Sequence, residues 1–104
     1  MASKLQIAAL SLDVRRLFDS IHVPINGSYQ EVTLPTGGAS ASSTALPANT
    51  RSIRIRSLTN HACVRIGPSP QTAVGTDYFL ELNVWHTLSA EEGWVVAGVE
   101  KLLA

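Results

Sequence analysis

Three side chains in the second half of the chain have the chemistry of soft metal ligands, or of a nucleophile with its base: His61, Cys63 and His86. His61 and Cys63 are two residues apart, so a strand would place both side chains on one face. A structural zinc site takes four ligands at recurring spacings, which this sequence lacks. No signature supports a Cys63 nucleophile. We expect a turn histidine and a buried or half-buried thiol, with no metal and no cofactor.

Adjacent carboxylates stand at Glu91 and Glu92, just before Gly93 in the stretch SAEEGW. Such a pair could bind a cation or act as acid and base, but neighbouring acids in a turn more often form a solvated corner. The sequence also lacks the nucleophile elbow, the phosphate-binding loop, the dinucleotide fingerprint and the HExxH zinc motif. We therefore expect no catalytic residues and no enzymatic activity.

The charged residues are few and unevenly distributed. Eight basic and eight acidic side chains give a formal net charge of zero, so nothing favours nucleic acid or an anionic membrane as a partner. Charged residues make up 15%, below the roughly 25% of an average domain, which suits a protein packed against others. The bases cluster in mid-chain and acids follow them: Arg51, Arg54, Arg56 and Arg65, then Asp77, Glu81, Glu91, Glu92 and Glu100.

The stretch RSIRIRSLTNHACVRIG, residues 51–67, predicts a hairpin with its turn at Thr59-Asn60. In that register Ile53 and Ile55 face Ile66 and Val64 on an apolar side. The other side then pairs Arg54 with Arg65 and Arg56 with Cys63. Opposed like charges destabilise a sheet by up to about 1 kcal/mol, and we interpret this face as one that meets an acidic surface on a neighbouring subunit. The alternative is pairing within the molecule, with Glu31 or Glu81.

Proline and glycine are so dense after Pro24 that no helix of ordinary length fits there. Short strands at regular spacing predict an all-β, single-domain β-sandwich, jelly-roll-like, with about seven to eight antiparallel strands. Residues 1–25 alternate in places and have helical spacing in others, which predicts an N-terminal arm or short helix before a sandwich of residues 26–104. The predicted strands are Tyr29–Leu34, Ala39–Leu46, Arg51–Leu58, His61–Gly67, Tyr78–Leu82, Val84–Leu88 and Trp94–Val99, with a further one near Leu5–Leu10.

The last strand is apolar on both of its faces, because Trp94 and Val96 alternate with Val95 and Ala97. This predicts a central strand covered twice, by its own core and by a neighbour. For Trp85 and Trp94 we favour core or interface packing. The alternative is an exposed ring that serves as a platform for a sugar.

Cys63 is the only cysteine, so an intrachain disulfide is impossible and a reducing compartment is expected. The apolar run after Lys4 is too short to span a bilayer and has no convincing signal-peptide cleavage site. We expect no membrane partner.

Residues 33–99 contain an ordered series of strand and turn features. The series runs from Leu46-Pro47 through a strand ending in Thr59-Asn60 and a strand closing on Gly67, to the turn at Gly93 and the segment Trp94-Val95-Val96-Ala97. In this progression the chain resembles small β-sandwich structural proteins of tailed-bacteriophage virions. It departs from them at Glu91-Glu92, where such proteins often have a more neutral turn.

The resemblance implies a capsid decoration or cement protein, made in the bacterial host cytoplasm and located on the capsid surface of the virion. It implies a homotrimer that reinforces the lattice of the major capsid protein, with an N-terminal arm reaching a neighbour. A neck or tail component, or a tail-associated carbohydrate-binding module, is the alternative. The residues we expect at an interface are Arg54, Arg56, Arg65, Trp85, Glu91 and Glu92.

Overall fold

The structure is a computed structural model that describes residues 3–16 and 19–102. These residues form an all-β sandwich of two packed sheets, which confirms the predicted fold class. They contain no helix, and so none long and apolar enough to cross a membrane. The strands are β1 (Ser3–Arg16), β2 (Asp19–Pro24), β3 (Gln30–Leu34), β4 (Ala41–Ser42), β5 (Ser52–Leu58), β6 (His61–Pro68), β7 (Tyr78–Leu80), β8 (His86–Ser89) and β9 (Trp94–Lys101).

The first sheet is built around the first half of β1. Residues 4–10 pair antiparallel with β5, residues 3–7 pair with β3, and β8 lies on the far side of β5. Leu5, Ile7 and Ala9 are completely buried. The residues that alternate with them point outward: Lys4 is exposed and Gln6 is half-buried. This period of two is that of a strand with one buried face. Of the two alternatives for the N-terminus, the described residues form a strand.

The second sheet has the order β4-β9-β6-β7, and β9 pairs with β6 along its whole length. Val96 faces the sandwich core, whereas Ala97 and Val99 pack outward against Cys63 and Ala73. Ala73 belongs to the segment between β6 and β7, so the chain's own loop covers the outer face of β9. The strand is covered on both faces as predicted, but the second cover is this loop and not a neighbour.

The predicted hairpin of β5 with β6 is wrong. β5 pairs with β1 and β8, whereas β6 pairs with β9 and β7 in the other sheet. Ile53, Ile55 and Val64 still point inward as predicted, but across the core rather than side by side. Alternation determines which face of a strand is buried, but not which strand is its neighbour. Arg54 and Arg65 therefore lie on the outer surfaces of different sheets, and the two guanidinium groups do not oppose each other.

Buried hydroxyl groups hold the crossing from β5 to β6 in place. The Ser57 hydroxyl donates to the carbonyl of Asn60, and Ser3 Oγ accepts a hydrogen bond from the Asn60 amide at 3.4 Å. The Asn60 side chain donates to Glu100 Oε2 at 2.8 Å. Since Ser3 and Ser57 are both buried, these bonds satisfy polar groups that water cannot reach.

Thr59 at this crossing has a φ of +79°, a left-handed conformation that β-branched residues disfavour. We expect Thr59→Asn to raise the free energy of unfolding by about 1 kcal/mol, because asparagine tolerates this conformation. Thr59→Val keeps the branched Cβ and should bring no gain. Urea denaturation of the three proteins measures both effects, and a destabilised Thr59→Asn variant would contradict the explanation.

Beyond Leu10, β1 continues without β5 and, among the residues that the structure describes, pairs only with β2, from Ser11 opposite Val23 to Arg16 opposite Asp19. We call the paired residues 11–16 and 19–24 the ribbon. The principal extents of the molecule are 48 × 25 × 24 Å, which fits a two-stranded projection along the strand direction. Of the predicted arm, residues 1–25, the structure thus places residues 3–10 in the sandwich and the ribbon beyond its end.

Candidate interaction surface

A row of side chains crosses the outer face of the first sheet from β3 to the start of β8. Gln6 is opposite Glu31 on one side and opposite Arg56 on the other. Ile55 pairs with His86, so Trp85, the residue before His86, follows Arg56 in the same row. Strand pairing alone therefore brings together side chains that lie far apart in the sequence.

Two guanidinium groups pack on the ring of Trp85. The Cζ atoms of Arg54 and Arg56 lie 4.8 and 4.6 Å from the centre of the Trp85 ring. Contacts of this kind stabilise by about 0.5–1 kcal/mol each at exposed sites. Trp85 remains 39% exposed, so the two arginine side chains contact its ring without covering it.

Arg56 is further fixed by a chain of hydrogen bonds that leads to Tyr29. Its Nε and Nη2 both donate to Gln6 Oε1, the Nε at 2.9 Å. Gln6 Nε2 donates to Glu31 Oε2 at 3.4 Å, and the Tyr29 hydroxyl donates to the same oxygen at 2.9 Å. The hydrogen bonds from Tyr29 and Gln6 lower the pKa of Glu31. Desolvation, followed by the Glu31 carboxylate, raises the pKa of Tyr29.

We call this surface, made of Gln6, Tyr29, Glu31, Arg54, Arg56 and Trp85, the arginine face. Among the described residues, no carboxylate forms an ion pair with Arg54 or Arg56. The aromatic ring and the amide of Gln6 orient the two guanidinium groups without neutralising them. The face thus offers two ordered positive charges beside a partly exposed tryptophan.

Arg65 does not belong to this face. It lies on the outer surface of the second sheet, where its Nη2 is 2.8 Å from Asp77 Oδ1. The intramolecular alternative is thus the observed one for Arg65, although the acid is Asp77 and not Glu31 or Glu81. Asp77 Oδ2 also accepts a hydrogen bond from the Val74 amide at 2.7 Å. This backbone bond and, after it, the bond from Arg65 lower the pKa of Asp77.

The lowered pKa of Asp77 predicts a loss of stability in acid. The unfolded chain holds this proton more tightly than the native protein, so the stabilisation is present above the ordinary aspartate pKa of 3.8 and disappears as the pH falls through the lower native value. We expect Asp77→Asn to flatten the decline of the free energy of unfolding below about pH 4. Arg65→Gln, which leaves the Val74 bond, should flatten it less. Urea titrations at several pH values test this, and equal slopes in all three proteins would contradict it.

Glu91 and Glu92 lie at the connection from β8 to β9, and both are exposed. Gly93 makes the turn with a φ of +80°, and its amide donates to the carbonyl of Leu46. The two carboxylates are a solvated corner, beyond the end of the sheet where Ser52 pairs with Ser89. They are not part of the arginine face.

The three side chains that could have formed a nucleophilic or metal site are not brought together. Burial raises the pKa of Cys63, which is unfavourable for a reactive thiolate, and its Sγ lies 3.6 Å from the carbonyl oxygen of Gly75. His61 Nδ1 accepts from the Leu82 amide, and His86 Nδ1 contacts the Tyr78 hydroxyl at 3.1 Å. The described part of the chain has no group of three or more potential metal ligands and encloses no pocket.

The two tryptophans differ in their surroundings. Trp94 is partly buried and packs against the sandwich core, while Trp85 lies at the surface under the arginines. Gln6 and Tyr29 were not predicted for the site. For Gln6 the sequence does contain a signal, because this residue alternates with the apolar residues Leu5 and Ile7 and so belongs on the outer face of a strand.

No protein-family model matches this chain, and no curated protein or solved structure matches it either.

Proposed function

We propose that the protein is a structural component of a tailed-bacteriophage virion, a capsid decoration protein whose arginine face binds an acidic surface of the shell. The observation that carries the proposal is the pair Arg54 and Arg56, ordered on Trp85 without a carboxylate partner. The resemblance of residues 33–99 to small virion sandwiches supplies the setting. In that setting the protein is made in the host cytoplasm, assembles as a homotrimer and binds the major capsid protein at the capsid surface.

The composition of the arginine face is that of a protein-binding surface. Arginine, tryptophan and tyrosine are the residues that most often dominate the binding energy of protein interfaces. Arg56 is already held by Gln6 and Trp85, so less side-chain freedom is lost when a partner binds. An acidic partner would also relieve the repulsion between two neighbouring cations.

A capsid shell presents many identical binding sites, so contacts that are weak one by one can give strong overall binding. Each arginine face contributes a small, polar area, which suits a modest affinity for a single site. An oligomer that presents several such faces to a lattice gains affinity through effective concentration. The proposed role therefore does not require tight binding between single copies in solution.

Co-sedimentation with shells assembled from the major capsid protein tests the proposal. We expect wild-type protein to saturate the shells at a fixed ratio at low salt and to be released at high salt. The Arg54→Gln/Arg56→Gln variant should bind roughly tenfold or more weakly. Arg51→Gln, which changes an exposed arginine just before β5, is the matched control and should bind like wild type. Absence of co-sedimentation at every salt concentration would overturn the proposal.

A carbohydrate-binding module of a phage tail is the second candidate, favoured by the exposed rings of Tyr29 and Trp85 on an open sheet face. Sugars stack on free aromatic faces, but here two guanidinium groups already occupy the Trp85 ring. Tryptophan fluorescence during titration with neutral and acidic oligosaccharides distinguishes the candidates. Saturable quenching by a sugar, lost in Trp85→Ala but kept in Trp94→Phe, would favour the module. A ring of six or twelve copies would instead favour a neck or tail component.

A further inference from the structure

Glu31 lies in the same row as Arg56 on the arginine face and carries the opposite charge. Both residues belong to the described part of the chain, yet no ion pair joins them. β1 separates them, because Gln6 is opposite Glu31 of β3 on one side and opposite Arg56 of β5 on the other. Neighbouring strands lie about 4.8 Å apart, so the two backbones are roughly 10 Å from each other. Side chains as long as arginine and glutamate can bridge that distance, so backbone spacing alone does not explain why the charges stay unpaired.

The side-chain amide of Gln6 occupies the gap between the two charged groups. Its Oε1 accepts hydrogen bonds from Arg56 Nε, at 2.9 Å, and from Arg56 Nη2. Its Nε2 donates to Glu31 Oε2 at 3.4 Å. An amide suits both neighbours, because its carbonyl oxygen accepts from a cation while its NH₂ group donates to an anion. Gln6 therefore binds both ions and leaves both charges in place.

Each ion also has a partner of its own. The Tyr29 hydroxyl donates to Glu31 Oε2 at 2.9 Å, and the Cζ atom of Arg56 lies 4.6 Å from the centre of the Trp85 ring. The hydrogen bond from Tyr29 is the largest cause that lowers the pKa of Glu31, and the cation that adds to this effect through its charge is Lys4. The guanidinium group of Arg56 thus keeps its charge available to a partner.

We propose that Gln6 is the positioning residue that keeps the arginine face cationic, by holding the Glu31 carboxylate away from Arg56. Without this amide, Arg56 and Glu31 close into an ion pair within the molecule, and Arg54 is left as the unpaired cation of the face. For partner binding, the inference rests on the proposed function, since it explains how the face stays open to an acidic surface. The arrangement of the three side chains does not depend on any partner.

Two substitutions at this position neutralise Arg56 by different routes. Gln6→Ala removes the amide, so that Arg56 can reach the Glu31 carboxylate. Gln6→Glu keeps the length of the side chain, but its own carboxylate pairs with Arg56 directly. The first route requires Glu31 and the second does not, so the additional change Glu31→Gln separates them.

The titration of Glu31, followed by NMR of its side-chain carboxyl carbon, tests the positioning role without a partner. A cation close to a carboxylate lowers its pKa, so removing that cation raises the pKa. We expect Arg56→Gln to raise the pKa of Glu31 more in the Gln6→Ala background than in the wild-type background. Gln71→Ala, which truncates a glutamine that is bonded to the Pro68 carbonyl, is the matched control and should leave the titration unchanged.

Co-sedimentation with shells tests the consequence for binding. We expect Gln6→Ala and Gln6→Glu each to bind roughly three- to fivefold more weakly than wild type, because one of the two free cations is lost. Adding Glu31→Gln should restore the binding of Gln6→Ala, since no carboxylate is left at position 31 to pair with Arg56. The same addition should not restore the binding of Gln6→Glu.

Three results would overturn the inference. The first is an equal effect of Arg56→Gln on the pKa of Glu31 with and without Gln6, and the second is wild-type binding by Gln6→Ala. The third is weak binding of Gln6→Ala that Glu31→Gln does not restore, which would indicate a purely structural role for Gln6. If even wild-type protein does not co-sediment, the proposed function fails, while the titration of Glu31 still decides the positioning role.

Discussion

Leu5→Ala is expected to lower the free energy of unfolding by about 2–5 kcal/mol, among the largest effects of any single truncation in this chain. Leu5 is 0% exposed and lies in β1 between β3 and β5. Its side chain reaches across the core to Gly98 of β9, so it links the two sheets. Removing it costs the transfer free energy of the lost carbons and leaves a cavity that a packed sandwich closes only in part.

Urea denaturation followed by tryptophan fluorescence measures this loss. Lys4→Ala is the control, because Lys4 is the preceding residue of the same strand but points outward and is exposed. We expect the control to change stability by about 0.5 kcal/mol or less. A loss below about 1 kcal/mol for Leu5→Ala would contradict the placement of residues 3–10 in the core.

Gly98→Ala is the second large expected effect, a destabilisation of about 1–3 kcal/mol through overpacking. A Cβ atom at this position would lie 2.6 Å from Leu5 Cδ1 and 3.1 Å from Leu34 Cδ2. Both leucine side chains are completely buried, so neither can move away freely. Gly75→Ala is the matched control, since a Cβ there meets only the Lys101 amino group at an ordinary 3.6 Å.

The double variant Leu5→Ala/Gly98→Ala tests whether the two residues meet across the core. The added methyl group enters space that the leucine has vacated, so its cost should largely disappear. We expect a coupling free energy of about 1 kcal/mol or more in the double-mutant cycle, in the compensating direction. Strict additivity would show that β1 and β9 do not face each other as described.

The sandwich itself was predictable because its signals are local. Alternation in residues 51–58 and 61–67 predicted two strands with the correct inward residues, and the turn residues between strands excluded helices. The last strand is apolar on both faces, which predicted that both faces are covered. The sandwich core covers one face, and the loop that contains Ala73 covers the other. Each of these features depends on a few neighbouring residues, so the sequence is sufficient to predict them.

The long-range pairing was not predictable in the same way. A tight connection at Thr59-Asn60 fits either a hairpin or a crossing between sheets, and only the competing partners β1 and β9 decide. The predicted strand Ala39–Leu46 is reduced to Ala41–Ser42, since the chain after it joins β9 through separate bonds such as that from the Ser43 amide to the Val96 carbonyl.

For the candidate surface, the sequence indicated Arg54 and Arg56 but not the residues that surround them. Arg54, Arg56 and Trp85 meet because β5 and the start of β8 are adjacent, a contact between residues about thirty positions apart. Arg65 was grouped with them only through the incorrect hairpin, and its partner Asp77 comes from the loop before β7. A basic cluster in the sequence thus became two separate surfaces once strand order was known.

In the proposed complex, the positive charges on the arginine face carry the contact with an acidic surface of the shell. The most direct measurement is the Kd of wild-type protein and of Arg54→Gln/Arg56→Gln for assembled shells over a series of salt concentrations. We expect the wild-type affinity to fall steeply as the salt concentration rises, and the variant to bind more weakly with a shallower salt dependence. The same affinity and the same salt dependence for both proteins would contradict it.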